Sequence, residues 1–267
     1  MFSDYHCHTN LCGHASGEME DYIAAARLKG LQELGFSDHL PMYWLPESER
    51  NPGLAMSEQE LPFYVAKVIK LREENNDLSI KLGIEADYIP GNNTALNRLL
   101  ALYPFDYVLG SVHFVNGWAV DNPANKNEYE HINLDEIYAA YFSCLQSAAR
   151  SGLFNIMAHP DLIKKFGYRP KSDLTFLYEQ TARIIAKANV CIEVNTAGLR
   201  YPAREIYPSL ELLRLFKKYG VPATVGSDAH LPEQVGEDWE EAALYLKEAG
   251  YREVAAFSGR RLTMVKI

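Results

Sequence analysis

The chemistry-bearing residues of this chain begin almost at its first residue, in Asp4-Tyr5-His6-Cys7-His8. Two histidines spaced i, i+2 on a strand point to the same face, with Cys7 on the other. Neutral imidazole is a ligand for zinc, iron and manganese, so this pair is half of a metal site. The remaining half must come from elsewhere in the chain. Of the eight histidines, seven (His6, His8, His14, His39, His113, His159 and His230) lie at the ends of short apolar runs or in the loops just after them. His131 falls outside that pattern and reads as a surface residue. Glu85 and Asp228 sit at equivalent run ends, which makes nine candidate ligands. A catalytic zinc-type ion takes about three protein ligands plus water. Nine ligands suit two or three divalent ions (Zn, Fe or Mn). A carboxylate can bridge two such ions, and a hydroxide held between them would attack a phosphate ester in line.

These residues are positioned by a repeating order of elements. The apolar runs are Phe2–His8, Glu33–His39, Ile80–Tyr88, Tyr107–Phe114, Phe154–His159, Val190–Thr196 and Pro222–His230. Helical stretches alternate with them: Glu18–Lys29, a segment from the Ser57-Glu58-Gln59-Glu60 capping box to about Asn75, Asn93–Leu102, Asp135–Ser151, Leu174–Ala188, Ser209–Tyr219 and Trp239–Ala249. Alternating strands and helices predict parallel β/α units. Seven units, with an eighth remnant near Val254–Phe257, predict a closed TIM-like α/β barrel whose chemistry sits at the C-terminal ends of its strands. With no linker or shift of composition, residues 1–267 read as a single domain.

Bulk composition sets limits on function. With 48% hydrophobic and 23% charged residues, the chain has an ordinary globular composition. A net charge of −9 argues against a nucleic-acid partner held by a broad basic surface. Four cysteines without a CxxC pair point to a reducing, cytoplasmic compartment. There is no signal-peptide pattern and no apolar run of the roughly 18–20 residues needed to cross a membrane.

His6-x-His8, His14 in Leu-Cys-Gly-His-Ala, Asp38-His39, Glu85, His113, His159 and Asp228-x-His230 resemble the motifs of the polymerase-and-histidinol-phosphatase (PHP) superfamily. The opening His-Cys-His-Thr-Asn-Leu-Cys-Gly-His-Ala looks most like its histidinol-phosphatase branch. The resemblance implies a distorted (β/α)7 barrel. It implies a first metal on His6, His8, Glu85 and Asp228, a second on Glu85, His113 and His159, and a third on His14, His39 and His230. The implied reaction is hydrolysis of L-histidinol phosphate in histidine biosynthesis by a metal-bridging hydroxide. The alternatives are another small phosphomonoester or nucleotide, an amidohydrolase-type reaction, which has no ready use for His14, His39 and His230 together, and a non-catalytic metal-holding or regulatory module.

Other residues carry weaker expectations. Asp38 reads as a partner of the ligands, a proton carrier or a loop cap, and Asp38, Asp161 and a metal-bound water stay open as proton donors to the leaving group. Glu193 and Asn195 share a strand face; Asn195 would bond ligand or water, and Glu193 would lie deeper in the barrel. Arg200 is the leading phosphate clamp, because guanidinium offers a bidentate fork. Lys164, Lys165 and Arg169 are lesser candidates. Cys12 lies near enough to the ligands to intrude on a metal, whereas Cys7 points away. The irregular segments Leu40–Met56 and Val115–Asn133 would overhang the active face, where Tyr43, Trp44 and Trp118 would either pack the loops down or wall a pocket for an imidazole-bearing substrate.

Overall fold

The computed structural model describes residues 2–267. Strands and helices alternate as β1 (Ser3–Cys7), α1 (Met19–Lys29), β2 (Glu33–Phe36), α2 (Leu61–Glu74), β3 (Ser79–Leu82), β4 (Glu85–Asp87), α3 (Asn93–Leu100) and β5 (Leu109–Ser111). The small hairpin β6 (Phe114–Val115) and β7 (Trp118–Ala119) follows, then α4 (Leu134–Arg150), β8 (Ile156–Met157), α5 (Thr175–Ala188), β9 (Cys191–Asn195), α6 (Leu210–Lys218), β10 (Ala223–Gly226) and α7 (Trp239–Glu248). The chain ends in β11 (Glu253–Ser258) and β12 (Arg261–Lys266).

The strands form a three-stranded parallel sheet, β1-β2-β3, and a five-stranded parallel sheet, β10-β9-β8-β5-β4. Backbone bonds join the two sheets at both seams. At one, the His8 amide donates to Ala229 O (2.8 Å) and the Ala229 amide to His6 O (3.1 Å). At the other, Leu40 N donates to Glu85 O (2.8 Å) and Glu85 N to Asp38 O (3.2 Å). The result is a distorted seven-membered barrel, because the run Ile80–Tyr88 supplies β3 to one sheet and β4 to the other. The break falls at Gly83, where a Cβ would meet Tyr107 Cζ at 2.2 Å. That ring lies across Gly83 and Gly35 inside the barrel, so neither position has room for a side chain.

Local sequence explains the helix ends. Glu18 and Asp21 form a reciprocal capping box at the start of α1, and Gly30 ends it in the left-handed conformation (φ 74°). Ser57 and Glu60 also exchange capping bonds, but one turn early; α2 begins at Leu61 with Pro62 in its first turn, where no amide is needed.

The Val254–Phe257 run is not an eighth barrel strand. It lies in β11, which pairs antiparallel with β12. Ala255, Ala256 and Phe257 pack on Tyr5, Tyr107, Leu109, Ile156 and Cys191, the apolar lower interior of the barrel. A larger apolar layer lies between the strands and the surrounding helices. No helix among the described residues is long and apolar enough to cross a membrane.

Candidate metal centre

At the upper end of the barrel the strand ends turn polar. A register shift between Asp4 and Cys7 interrupts the pairing of β1 with β2. Such a bulge re-aims side chains. Tyr5 packs into the barrel's lower interior and His6 bonds Glu193 just above it, while Cys7 joins the outer apolar layer. His8 follows on β1, His14 on the next loop, His39 after β2, Glu85 at the start of β4, His113 after β5, His159 after β8, and Asp228 with His230 after β10. His159 (φ 26°) and Asp228 (φ 53°) occupy the left-handed region, which few non-glycine residues visit. Bonds from neighbours hold both. Glu193 accepts from the His159 amide (2.8 Å), and the Arg200 guanidinium donates to Ser227 O (2.7 Å) and Asp228 O (3.1 Å).

Glu85 is the hub. Its Oε2 lies 3.2 Å from His6 Nε2, 3.3 Å from His8 Nε2 and 3.1 Å from His39 Nδ1. Its Oε1 lies 3.1 Å from His159 Nε2 and 3.7 Å from His113 Nε2, and accepts from the Ser111 hydroxyl. Asp228 Oδ1 is 3.3 Å from His8 Nε2, 3.6 Å from His6 Nε2 and 3.5 Å from His230 Nδ1.

The proton positions are constrained by the other ring nitrogens. His6 Nδ1 donates to Glu193 (2.7 Å), which turns its Nε2 toward Glu85 and Asp228. His14 Nδ1 donates to Cys12 O (3.1 Å) and His230 Nδ1 to Asp228 O (3.0 Å). Their Nε2 atoms then face each other at 3.0 Å, a gap that one shared proton or one metal cation can fill. The buried Nε2 atoms of His6 and His8 find no hydrogen-bond partner in the chain. Several triads bring one donor atom each within 4.8 Å of the others: His6, His8 and Glu85; His6, His159 and Asp228; His8, His39 and His230; and Cys12, His14 and His230. This donor set fits divalent cations.

Electrostatics keep the ligand carboxylates ionised. Burial works to raise Glu85 and Asp228. Facing histidines outweigh it, His39 and His6 for Glu85 and His6 and His8 for Asp228, and both carboxyls lie well below the ordinary range. Burial pushes His39 well down, and burial with His8 beside it brings His230 down to about 3. At His113, burial is outweighed by Asp87 and Asp121, and its pKa rises to about 10. Burial would raise Cys12, but His14 and His8 bring it down to about 7. Cys12 therefore sits where its sequence position suggests, beside His14 and His230.

All nine expected ligands converge on one place; several of the other expected contacts do not reach it. A cavity of about 520 Å³ opens in front of Glu85 and Asp228, lined also by His14, His39, His113, His159 and His230. Arg200 does not face it, because its guanidinium is taken up by the two carbonyls above and by Glu237 (2.9 Å). Lys164 does not face it either. It is buried, with Nζ 2.8 Å from Asp161 and 2.9 Å from Glu205, and the next residue, Lys165, lines the cavity instead. Asn195 is buried behind Asp228, 3.4 Å from Oδ2, and donates to Glu193 (3.0 Å). Asp38 accepts from the Thr9 amide (2.6 Å) and hydroxyl (2.8 Å), which is loop capping, and Asp161 is spent on Lys164 and the Ser209 amide. Neither carboxylate lines the cavity.

The two irregular segments do overhang the site, and of the two readings for their aromatics the structure gives loop packing. Tyr43 donates to Asp87 O (2.8 Å), Trp44 packs edge-on to Phe114, and Trp118 donates to Glu128 (2.7 Å). These three pin the loops. Met42, Leu54, Phe114 and Pro123 form the apolar wall, with Tyr201 opposite.

Three contributors, Asp87, Asp121 and Tyr201, had no assigned role in the sequence, and Glu193 was placed only deeper in the barrel. Glu193 and Asp87 orient His6 and His113 through their Nδ1 atoms (2.7 and 2.9 Å). Asp87 stands at i+2 from Glu85, so strand alternation marked it. Asp121 and Tyr201 come from irregular segments that carry no periodic signal. They flank Lys165, whose Nζ is 3.1 Å from Asp121 and 4.5 Å from the Tyr201 ring centroid.

Family comparisons agree with this geometry. A family model described as the PHP domain matches residues 4–197, and one described as PHP-associated matches residues 211–244. The chain is 38% identical over 253 residues to a probable histidinol-phosphatase of Deinococcus radiodurans, covering 94% of this chain and 95% of that one. It is 28% identical over 264 residues to a histidinol-phosphatase of Bacillus subtilis, covering 89% and 96%. Its fold is similar to that of a histidinol phosphate phosphatase from Lactococcus lactis complexed with zinc, L-histidinol and phosphate, with a TM-score of 0.83, 24% identity and 98% of each chain covered.

Proposed function

The chain belongs to the PHP family, and on that premise we propose that it is a metal-dependent phosphomonoesterase that hydrolyses L-histidinol phosphate to L-histidinol and phosphate. The observation that carries the metal part is the convergence of imidazole nitrogens on two buried carboxylates, with His14 Nε2 set 3.0 Å from His230 Nε2. The curated relatives support the substrate.

In this reading His6, His8, Glu85 and Asp228 hold one ion, Glu85 with His113 and His159 a second, and His14, His39 and His230 a third. Two to three ions per chain follow; zinc is favoured by the related complex, with iron and manganese open. Such ions would neutralise phosphoryl charge and lower the pKa of a water nucleophile. The chain's own residues do the rest. Glu193 and Asp87 fix the tautomers of His6 and His113. Arg200 and Asn195 act as positioning residues for Asp228. Lys165 supplies a cation on the cavity wall for the phosphoryl group, and Asp87 and Asp121 give that wall the negative charge that suits an amino alcohol bearing imidazole. The apolar overhang of Met42, Leu54 and Phe114 excludes water.

The reading takes residues 1–267 as one barrel domain, supported by the hydrogen-bonded ring of strands, and carries a cytoplasmic, biosynthetic setting, in keeping with four free buried cysteines. Phosphate release from L-histidinol phosphate, measured beside nucleotides and sugar phosphates, tests the substrate. A preference for histidinol phosphate is expected; preference for another ester would move the substrate and keep the site.

A further inference from the structure

Buried polar atoms normally find partners, so the exceptions mark places reserved for something else. Among the described residues, Tyr207 is the one tyrosine whose hydroxyl is both shut off from bulk water and without a hydrogen-bond partner. Other fully buried tyrosines are satisfied. Tyr64 donates to Gly83 O (2.8 Å), Tyr107 to Tyr5 O (2.7 Å) and Tyr129 to Val120 O (2.6 Å). Tyr207 differs in place as well as in pairing, because it forms part of the cavity wall shared with Glu85, Asp228 and Lys165.

The ring is held before any ligand arrives. Its backbone exchanges two bonds with Asn195 at the end of β9 (2.7 and 3.0 Å). Lys164 Nζ lies 5.3 Å from the ring centroid. On the other side, Gly198 approaches so closely that a Cβ there would be 3.1 Å from Tyr207 Cζ and 2.0 Å from Glu205 O. Burial, with the charges of Asp161 and Asp228 near it, keeps the phenol protonated, so it is a donor at any working pH. A phosphomonoester offers three unesterified oxygens, and Lys165, the lysine on this wall, already spends a donor on Asp121.

We propose that Tyr207 is a catalytic residue whose hydroxyl donates a hydrogen bond to a phosphoryl oxygen of the substrate; this rests on the phosphatase reading above. The competing partner is Asp161 Oδ1, which is also buried and unpartnered. A Tyr207–Asp161 bond would make the hydroxyl structural.

The test compares Tyr207→Phe with the unaltered metal-loaded enzyme, with Asp161→Asn as a second variant. Binding of inorganic phosphate and of L-histidinol is followed by calorimetry, alongside kinetics, metal content and Tm. For Tyr207→Phe the expected results are phosphate binding weakened about tenfold to a hundredfold, a matching loss in kcat/KM, and histidinol binding, metal content and Tm all unchanged. Unchanged phosphate binding would overturn the proposal, and so would a fall in Tm shared with Asp161→Asn. If the unaltered enzyme binds phosphate but does not turn over histidinol phosphate, the substrate reading fails while the phosphate arm still decides the role of Tyr207.

Discussion

The two ends of the barrel interior are built from the same strands and treat polar atoms in opposite ways. At the lower end, Tyr5 donates to Glu33 and accepts from Phe257 N (3.1 Å), and Tyr107 donates to Tyr5 O (2.7 Å). Every hydroxyl there is used, and the β11–β12 hairpin seals the cluster. At the upper end, imidazole nitrogens of His6, His8 and His159 are buried without partners. A lower end with such orphans would be a defect, since an unmade buried hydrogen bond costs about 1–3 kcal/mol. At the upper end the orphaned Nε2 atoms of His6 and His8 face the ionised carboxylates of Glu85 and Asp228, an arrangement that a cation would satisfy. The lower end is for stability and the upper end for ligands, and substitutions at each end should separate the two.

The largest effect is expected from Glu85→Ala. Removing the carboxylate that five histidines face should lower kcat/KM by at least about 10³-fold and reduce metal per chain, while far-ultraviolet circular dichroism stays that of a folded barrel. Phe257→Ala strikes the other end. Emptying its place among Tyr5, Tyr107 and Ala255 should cost about 3–5 kcal/mol in denaturant unfolding and leave metal content per folded chain unchanged. A loss of metal equal to that of Glu85→Ala would erase the distinction between the ends.

Glu193→Gln stands between the two regions. The amide keeps the shape but weakens the hold on His6 Nδ1, so metal affinity should fall about 10–100-fold in a chelator competition, with a smaller change in Tm. The smallest effect concerns Asp121 and Lys165. Burial raises Asp121, but Lys165 and His113 outweigh it and lower it; burial lowers Lys165, but Asp121 outweighs it and raises it. The lowered acid contributes stability present above the ordinary carboxylate range and lost as pH falls through its folded pKa. The raised lysine contributes stability present below its ordinary pKa and lost as pH climbs through the folded one. The pair is therefore intact between roughly pH 5 and 9. In metal-free protein, Asp121→Asn should cost at most about 1 kcal/mol, by the same amount at pH 6 and pH 8. A cost that changes between those pH values would show that the pair titrates inside the window.

Most of the candidate site was legible because the candidate ligands sit at or just after strand ends, and strand ends are marked by apolar runs that stop at His, Asp or Glu. All nine meet in one cluster for that reason, seven of them on the cavity wall. What was not legible turns on single-residue steps and tertiary partners. Lys164 and Lys165 are adjacent in sequence, yet the short 3-10 turn at Leu162–Lys164 buries one beside Asp161 and points the other into the cavity. Arg200 has the chemistry of a phosphate clamp, but the left-handed backbone at Asp228 leaves two carbonyls for it to hold. The break of one apolar run into β3 and β4 depends on Tyr107, a residue more than twenty positions away, lying over Gly83. None of these is written in periodicity or composition.

The most direct test of the central claim is elemental analysis of metal per chain on the purified protein and on His14→Ala, with phosphate release from L-histidinol phosphate followed on the same samples. The proposed function predicts two to three divalent ions per unaltered chain, release of phosphate, and a lower metal count with weakened turnover once the His14–His230 pair is broken. Fewer than one ion per active chain, or full activity after the metal is stripped by a chelator, would contradict the account.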